Sequence, residues 1–182
     1  MAKPGGATVH ASAVLVGARA VLIRGPSGAG KSRLAWELIE AARGGAVAFA
    51  RLVGDDRVHL QAAGGRLLVR PNDALAGLIE LRGVGILRRD HEACAVVGLV
   101  VDLAAAAAER LPEHDETVVE GITIPRLAVA PAVAALPLVL AAVTSCDAVS
   151  VSKATQGRLG GATWGATWGG LGGGTKTGLA ID

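Results

Sequence analysis

Gly25-Pro26-Ser27-Gly28-Ala29-Gly30-Lys31-Ser32 satisfies G-x-x-x-x-G-K-[ST] at every fixed position. Glycines in such a loop let successive backbone N–H groups turn toward phosphate oxygens. Lys31 is then placed to reach the β- and γ-phosphates, and Ser32 to reach Mg²⁺. The flanks decide whether the match is meaningful. Ala18–Arg24 has the β-branched apolar centre of a buried strand, and Leu34, Ala35, Leu38, Ile39 and Ala42 recur at helical spacing. Strand, loop and helix follow in the order a phosphate cradle requires, with the positive end of the helix beneath it. The segment therefore implies binding of a nucleoside triphosphate with Mg²⁺ through Gly25, Pro26, Ser27, Gly28, Ala29, Gly30, Lys31 and Ser32.

The 182 residues suit one domain with a substantial core. A net charge of +2, with Lys and Arg scattered rather than gathered in a stripe, argues against a nucleic-acid partner. Cys94 and Cys146 lack a C-x-x-C partner and stand among apolar residues, so they read as small buried hydrophobes of a reducing compartment. No apolar h-region precedes the first strand, which gives a cytoplasmic expectation. Leu127 to Cys146 is uncharged over a length that could span a membrane. Its alanines and its prolines, Pro131 and Pro137, fit a helix packed within a soluble domain better, so no membrane association is expected.

Alternation and turn signals predict strands at 8–16, 19–24, 46–53, 57–61, 66–70, 78–82, 95–102 and 118–129. Helices are expected at 31–43, briefly at 72–77, and at 131–145 with Pro131 in the first turn. A doubly wound sheet needs a helix after nearly every strand, and there are too few. The expected fold class is α/β, a mixed sheet with hairpins and the loop helix on one face. Ten of the 26 glycines fall after Gln156, where Ala-Thr-Trp-Gly repeats around Trp164 and Trp168. Residues 1–155 are expected to form the catalytic P-loop domain, and 156–182 a disordered Gly/Trp-rich tail.

Phosphoryl transfer also needs a carboxylate for the metal, a base near the acceptor and a cation over the moving group. Asp55-Asp56 ends an otherwise acid-free apolar run; a solvated turn is the plainer reading, a metal contact or base the functional one. In Leu78–Ile86 a Glu and an Arg are embedded among apolar residues before Gly83-Val84-Gly85. These charges are either an ion pair within the sheet or a metal-ligating Glu80 with an anion-steering Arg82. His10, alone in the first strand, carries no role by spacing.

Together, His10, the Gly25–Ser32 loop, Leu52-Val53-Gly54-Asp55-Asp56 and Ile79-Glu80-Leu81-Arg82-Gly83-Val84-Gly85-Ile86 resemble the catalytic domain of HPr kinase/phosphorylase over about residues 8 to 145. The resemblance implies an HPr kinase/PEP carboxykinase-like fold. It also implies an ATP-dependent enzyme that phosphorylates a serine of HPr, or of a related phosphocarrier, in sugar or nitrogen regulation. It makes His10, Lys31, Asp56 and Arg110 catalytic, with Asp56 the base that takes the serine proton. It adds Arg82 and Gly83 to the nucleotide site and gives Mg²⁺ to Ser32, Glu80 and Asp55. A ring-like homo-oligomer, a hexamer among the options, is implied too.

The chain departs from the family pattern in four places. The first is a longer stretch between Lys31 and Asp56, so that the choice of Asp56 rather than Asp55 as base rests on register at the strand end. The chain also starts almost at the His, so a short form without the N-terminal regulatory domain is expected. Ala11 stands where the family has Gly after the His. Val129-Ala130-Pro131-Ala132-Val133 has no arginine where the family carries an Arg-rich loop tied to phosphorolysis, so only the kinase direction is expected. Two other readings stay open: a non-catalytic ATP- or phosphate-sensing regulatory module, and a small-molecule kinase on a related P-loop fold.

Overall fold

A computed structural model describes residues 6–106 and 116–144. Among them are the strands β1 (Ala7–Val9), β2 (Ser12–Val16), β3 (Arg19–Arg24), β4 (Ala50–Gly54), β5 (Val58–Ala63), β6 (Arg66–Pro71), β7 (Leu78–Leu81), β8 (Gly85–Arg88), β9 (Ala95–Leu103), β10 (Glu116–Val119) and β11 (Ile122–Val129). The α-helices are α1 (Lys31–Arg43) and α2 (Ala135–Thr144). Nine strands form one mixed sheet in the order β1-β5-β6-β9-β3-β2-β4, with β11 also on β9 and β10 on β11; β7 and β8 form a separate hairpin. The expected mixed α/β fold with few helices is what forms.

The sheet follows from where the apolar residues fall. In β3, Ala20, Val21, Leu22 and Ile23 are all buried, as befits a central strand covered on both faces. Val21 and Ile23 join the core beneath α1 with Leu34, Ala35, Leu38, Val14 and Val101. Ala20 and Leu22 face a second core formed with Val58, Leu60, Leu67 and Val69 of the β5–β6 hairpin. Each such side chain contributes about 1.5–3 kcal/mol by leaving water. The two residues between Ala63 and Arg66 are Gly64 and Gly65, both at positive φ (56° and 72°), as a tight two-residue turn requires.

Strand direction places the site. β2 is antiparallel to both β3 and β4, so β3 and β4 run parallel, joined by α1 as a crossover. β9 is parallel to β3, and β11 to β9. The C-terminal ends of β3, β4, β9 and β11 therefore share one edge of the sheet, where open α/β sheets bind ligands.

Several boundaries differ from the expectation. The run 8–16 breaks at His10-Ala11, because β1 pairs with β5 whereas β2 lies between β3 and β4. The run 118–129 is a hairpin turning at Glu120-Gly121. Strand β4 starts only at Ala50, and β8 was not foreseen. The expected helix at 72–77 is a single 3-10 turn, Asp73–Leu75, capped by the Asn72 side chain. Helix α2 starts at Ala135, so Pro137 rather than Pro131 occupies its first turn, where no N–H partner is needed. Cys94 is half-buried, not buried, since it lies just before β9; Cys146 and residues 156–182 lie outside the described residues. No helix among the described residues is long and apolar enough to cross a membrane.

Gly54 shows how closely this edge is packed. A Cβ there would lie 2.9 Å from Val58 Cγ1 and 3.2 Å from Pro71 Cα. Gly54→Ala is expected to lower stability by about 1–3 kcal/mol, measured by urea denaturation.

Candidate active site

The loop leaves β3 at Arg24 and enters α1 at Lys31. Gly25 takes a φ of 148° and passes so near β9 that a Cβ would lie 2.9 Å from the Leu103 carbonyl oxygen. Gly30, at the N-cap with φ 93°, offers no side chain to the first-turn N–H groups, and no acidic residue lies in that turn. The helix end therefore keeps its N–H groups and positive dipole available to an anion. Lys31, 7% exposed, folds back so that Nζ donates to the carbonyls of Gly25 (3.0 Å) and Pro26 (3.1 Å). Pro26, Ser27 and Gly28 stay exposed at the tip, and Ala29 N–H donates to the Pro26 carbonyl.

Asp55 follows β4 and is 3% exposed. Its Oδ1 accepts from Ser12 Oγ (2.5 Å) and Ser32 Oγ (2.9 Å), and its Oδ2 from the Glu80 backbone N–H (3.1 Å). One carboxylate thus joins β2, the phosphate loop and the β7–β8 hairpin. Since Ser32 gives its proton to Asp55, its oxygen lone pairs remain free to coordinate a cation. Ser12 is the partner that the sequence reading missed. A lone hydroxyl within Ala11–Val16 was the available signal, because a buried hydroxyl needs a hydrogen-bond partner.

Asp56 points the other way. Arg57 N–H donates to the Asp55 carbonyl at 2.7 Å across Asp56, whose φ is 62°. This is a tight three-residue turn at a left-handed φ, a strained arrangement of the kind that collects at functional sites. It holds the Asp56 carboxylate in solvent, 57% exposed, with Oδ1 3.8 Å from His10 Nδ1. His10 sits there because the chain breaks between β1 and β2 at that residue.

The β7–β8 hairpin brings the remaining groups. Its turn, Leu81 to Val84, is closed by Val84 N–H on the Leu81 carbonyl, with Gly83 at φ 85°. The Arg82 guanidinium lies over the loop, its Nη2 3.8 Å from where a Gly28 Cβ would be. Glu80 presents an exposed side chain next to Asp55, and its contact with Asp55 is through the backbone. The structure thus gathers His10, Lys31, Ser32, Asp55, Asp56, Glu80, Arg82 and Gly83 around one edge. Arg110 lies outside the described residues. No three His, Cys, Asp or Glu side chains among the described residues form a metal cage. An oxygen-only set of Ser32, Asp55 and Glu80 suits Mg²⁺, which keeps waters and phosphate oxygens as its other ligands.

A second cluster was not foreseen. Arg24 donates to Asp102 through Nε (2.7 Å) and Nη2 (2.9 Å), and Arg126 Nε donates at 2.6 Å. Burial pushes the Asp102 carboxyl up, but the hydrogen bonds from Arg24 and Arg126 and their positive charges outweigh this and hold its pKa below 3.8. The cluster locks the residue before Gly25 to β9 and β11. An acid inside the apolar run Val96–Leu103 was its legible signal.

The sequence model described as HPr Serine kinase C-terminal domain matches residues 5–148. The chain belongs to the HPr serine kinase C-terminal domain family. Among relatives of the family, HPr kinase/phosphorylase of Streptococcus thermophilus is 42% identical over 81 residues, covering 44% of this chain and 24% of that protein. The enzyme of the same name from Bordetella pertussis is 38% identical over 122 residues, covering 60% of this chain and 37% of that protein. The chain thus spans well under half the length of these relatives. The solved Hpr(Ser) kinase/phosphatase from Coxiella burnetii shares the fold, with a TM-score of 0.60 at 24% identity over 76% of this chain and 93% of that one.

Because the folded pKa of Asp102 lies below its unfolded value, its contribution to stability is present above that value and is lost as pH falls through the folded pKa. Asp102→Asn is expected to cost about 1–3 kcal/mol at neutral pH. Urea denaturation at decreasing pH checks this: the gap between wild type and variant should narrow below 3.8.

Proposed function

We propose that this chain is an ATP-dependent protein-serine kinase acting on HPr or a related phosphocarrier. The observation that carries this reading is the division of labour within Asp55-Asp56. One carboxylate is buried on the loop serine, and the next is thrust into solvent beside His10 by a strained turn. A sensing module needs the cradle but has no use for an exposed carboxylate held at such cost.

In this reading the Gly25–Ser32 amides, the N-terminus of α1, Lys31 and Arg82 bind and neutralise the triphosphate. Mg²⁺, held by Ser32, Asp55 and Glu80, would supply further charge neutralisation on the phosphates. The acceptor serine Oγ attacks the γ-phosphorus and the bond to the β,γ-bridging oxygen breaks. ADP leaves, and the serine proton passes to Asp56. His10 Nδ1, 3.8 Å from Asp56 Oδ1, would have to close by a further fraction of an ångström to hydrogen-bond and orient that carboxylate. Arg110 is assigned to the moving phosphoryl group because Glu109-Arg110-Leu111-Pro112 is similar to the family's Asp-Arg-Leu-Gly segment. The arginine-free Val129–Val133 segment limits the proposal to the kinase direction. A cytoplasmic homo-oligomer, with residues 1–155 as the catalytic unit and 156–182 as a tail, completes it.

The test is transfer of labelled γ-phosphate from Mg-ATP to the host's HPr-like proteins, with mapping of the modified residue. Phosphoserine on the carrier is expected, and Asp56→Asn should lower kcat by about 100-fold or more while ATP affinity stays within about threefold. ATP turnover on metabolites without carrier labelling would refute the proposal.

A further inference from the structure

A hollow of about 450 Å³ lies at the base of the β7–β8 hairpin, lined by Arg51, Gly77, Arg88, Arg89, Asp90 and His91. None of these belongs to the phosphate loop, and the hairpin's opposite end carries Arg82. Its charge is unbalanced. Arg51 is paired with Glu92 at 2.8 Å and Asp90 adds one exposed carboxylate to the lining, but Arg88 and Arg89 form no ion pair among the described residues.

Arg89 is held in place by contacts that leave one of its donors unsatisfied. Its guanidinium lies over the Trp36 ring, 4.2 Å from the centroid, and Nη1 donates to the Arg88 carbonyl at 3.2 Å. Its Nε is buried without an acceptor among the described residues. Buried donors are nearly always paired, so an unpaired one marks a place where an acceptor is missing. A guanidinium stacked on an indole is held in one orientation and can present its remaining in-plane N–H groups to an oxyanion with little loss of side-chain freedom.

The backbone around the hollow is fixed in advance. Arg89 N–H donates to the Gly77 carbonyl (2.8 Å), Glu92 N–H donates to the Leu52 carbonyl (2.8 Å), and His91 bridges to Leu52. The His91 ring packs over Gly77, where a Cβ would come within 2.9 Å of Nδ1.

We propose that this hollow is a second anion site, distinct from the Gly25–Ser32 loop, for a small phosphate-bearing molecule. Two guanidinium groups against the single Asp90 carboxylate suit a dianion, and an open hollow of about 450 Å³ has room for a small ligand.

Trp36 reports on the site. In a chain with Trp164→Phe and Trp168→Phe, Trp36 is the sole indole, and its fluorescence can be titrated with inorganic phosphate at constant ionic strength. A saturable change is expected. It should persist in Lys31→Ala, where the loop is disabled, and weaken by about tenfold or more in Arg88→Ala, an exposed position at which the fold should survive, as circular dichroism would verify. No saturable change overturns the proposal. So does a change abolished by Lys31→Ala and untouched by Arg88→Ala, or a response to an acidic peptide but not to phosphate.

Discussion

The arrangement at this edge of the sheet depends on one buried carboxylate. Asp55 accepts three hydrogen bonds from three separate parts of the chain: Ser12 at the start of β2, Ser32 at the start of α1, and the Glu80 backbone in the hairpin. A buried charge is tolerable only when its lone pairs are satisfied, so the position of each partner is constrained by the other two. That constraint sets the phosphate loop against the hairpin that carries Arg82 and Glu80. The next residue leaves through the tight turn that Arg57 N–H closes on the Asp55 carbonyl, which gives Asp56 its positive φ and sets it in solvent beside His10.

Charge at this edge is distributed in two tiers. Arg24 and Arg126 are neutralised against Asp102 and serve to hold the base of the loop to β9 and β11. Lys31 and Arg82 have no carboxylate partner among the described residues; Lys31 rests on loop carbonyls and Arg82 extends over Gly28. Cations whose only partners are neutral carbonyls, beside a helix N-terminus free of acidic residues, form a field suited to a polyphosphate.

Much of this was legible in the sequence because it rests on local rules. The loop, α1 at 31–43 and the Gly64-Gly65 turn follow from spacing and glycine chemistry, and the scarcity of helices gave the mixed sheet. Partnership between distant segments was less legible. Ser12 and Asp55 are 43 residues apart and Arg24 and Asp102 are 78 apart, so a polar residue in an apolar run announces that it needs a partner without saying which. The break at His10-Ala11 was hidden for a related reason. Both halves have strand character, and only the pairing of β1 with β5 separates them. The Arg51–His91 hollow combines residues that look like ordinary surface charges until the hairpin gathers them and sets Arg89 over Trp36.

Asp55 is the junction on which the whole site depends. Asparagine keeps its shape but must either set an amide N–H against the Glu80 N–H or turn round and donate to Ser32, taking the lone pairs that a cation needs. The direct measurement is Mg²⁺-dependent ATP binding by calorimetry in Asp55→Asn. A loss of about tenfold or more in affinity in the presence of Mg²⁺, with little change in its absence, is the predicted result. Wild-type Mg-ATP affinity in the variant would contradict it.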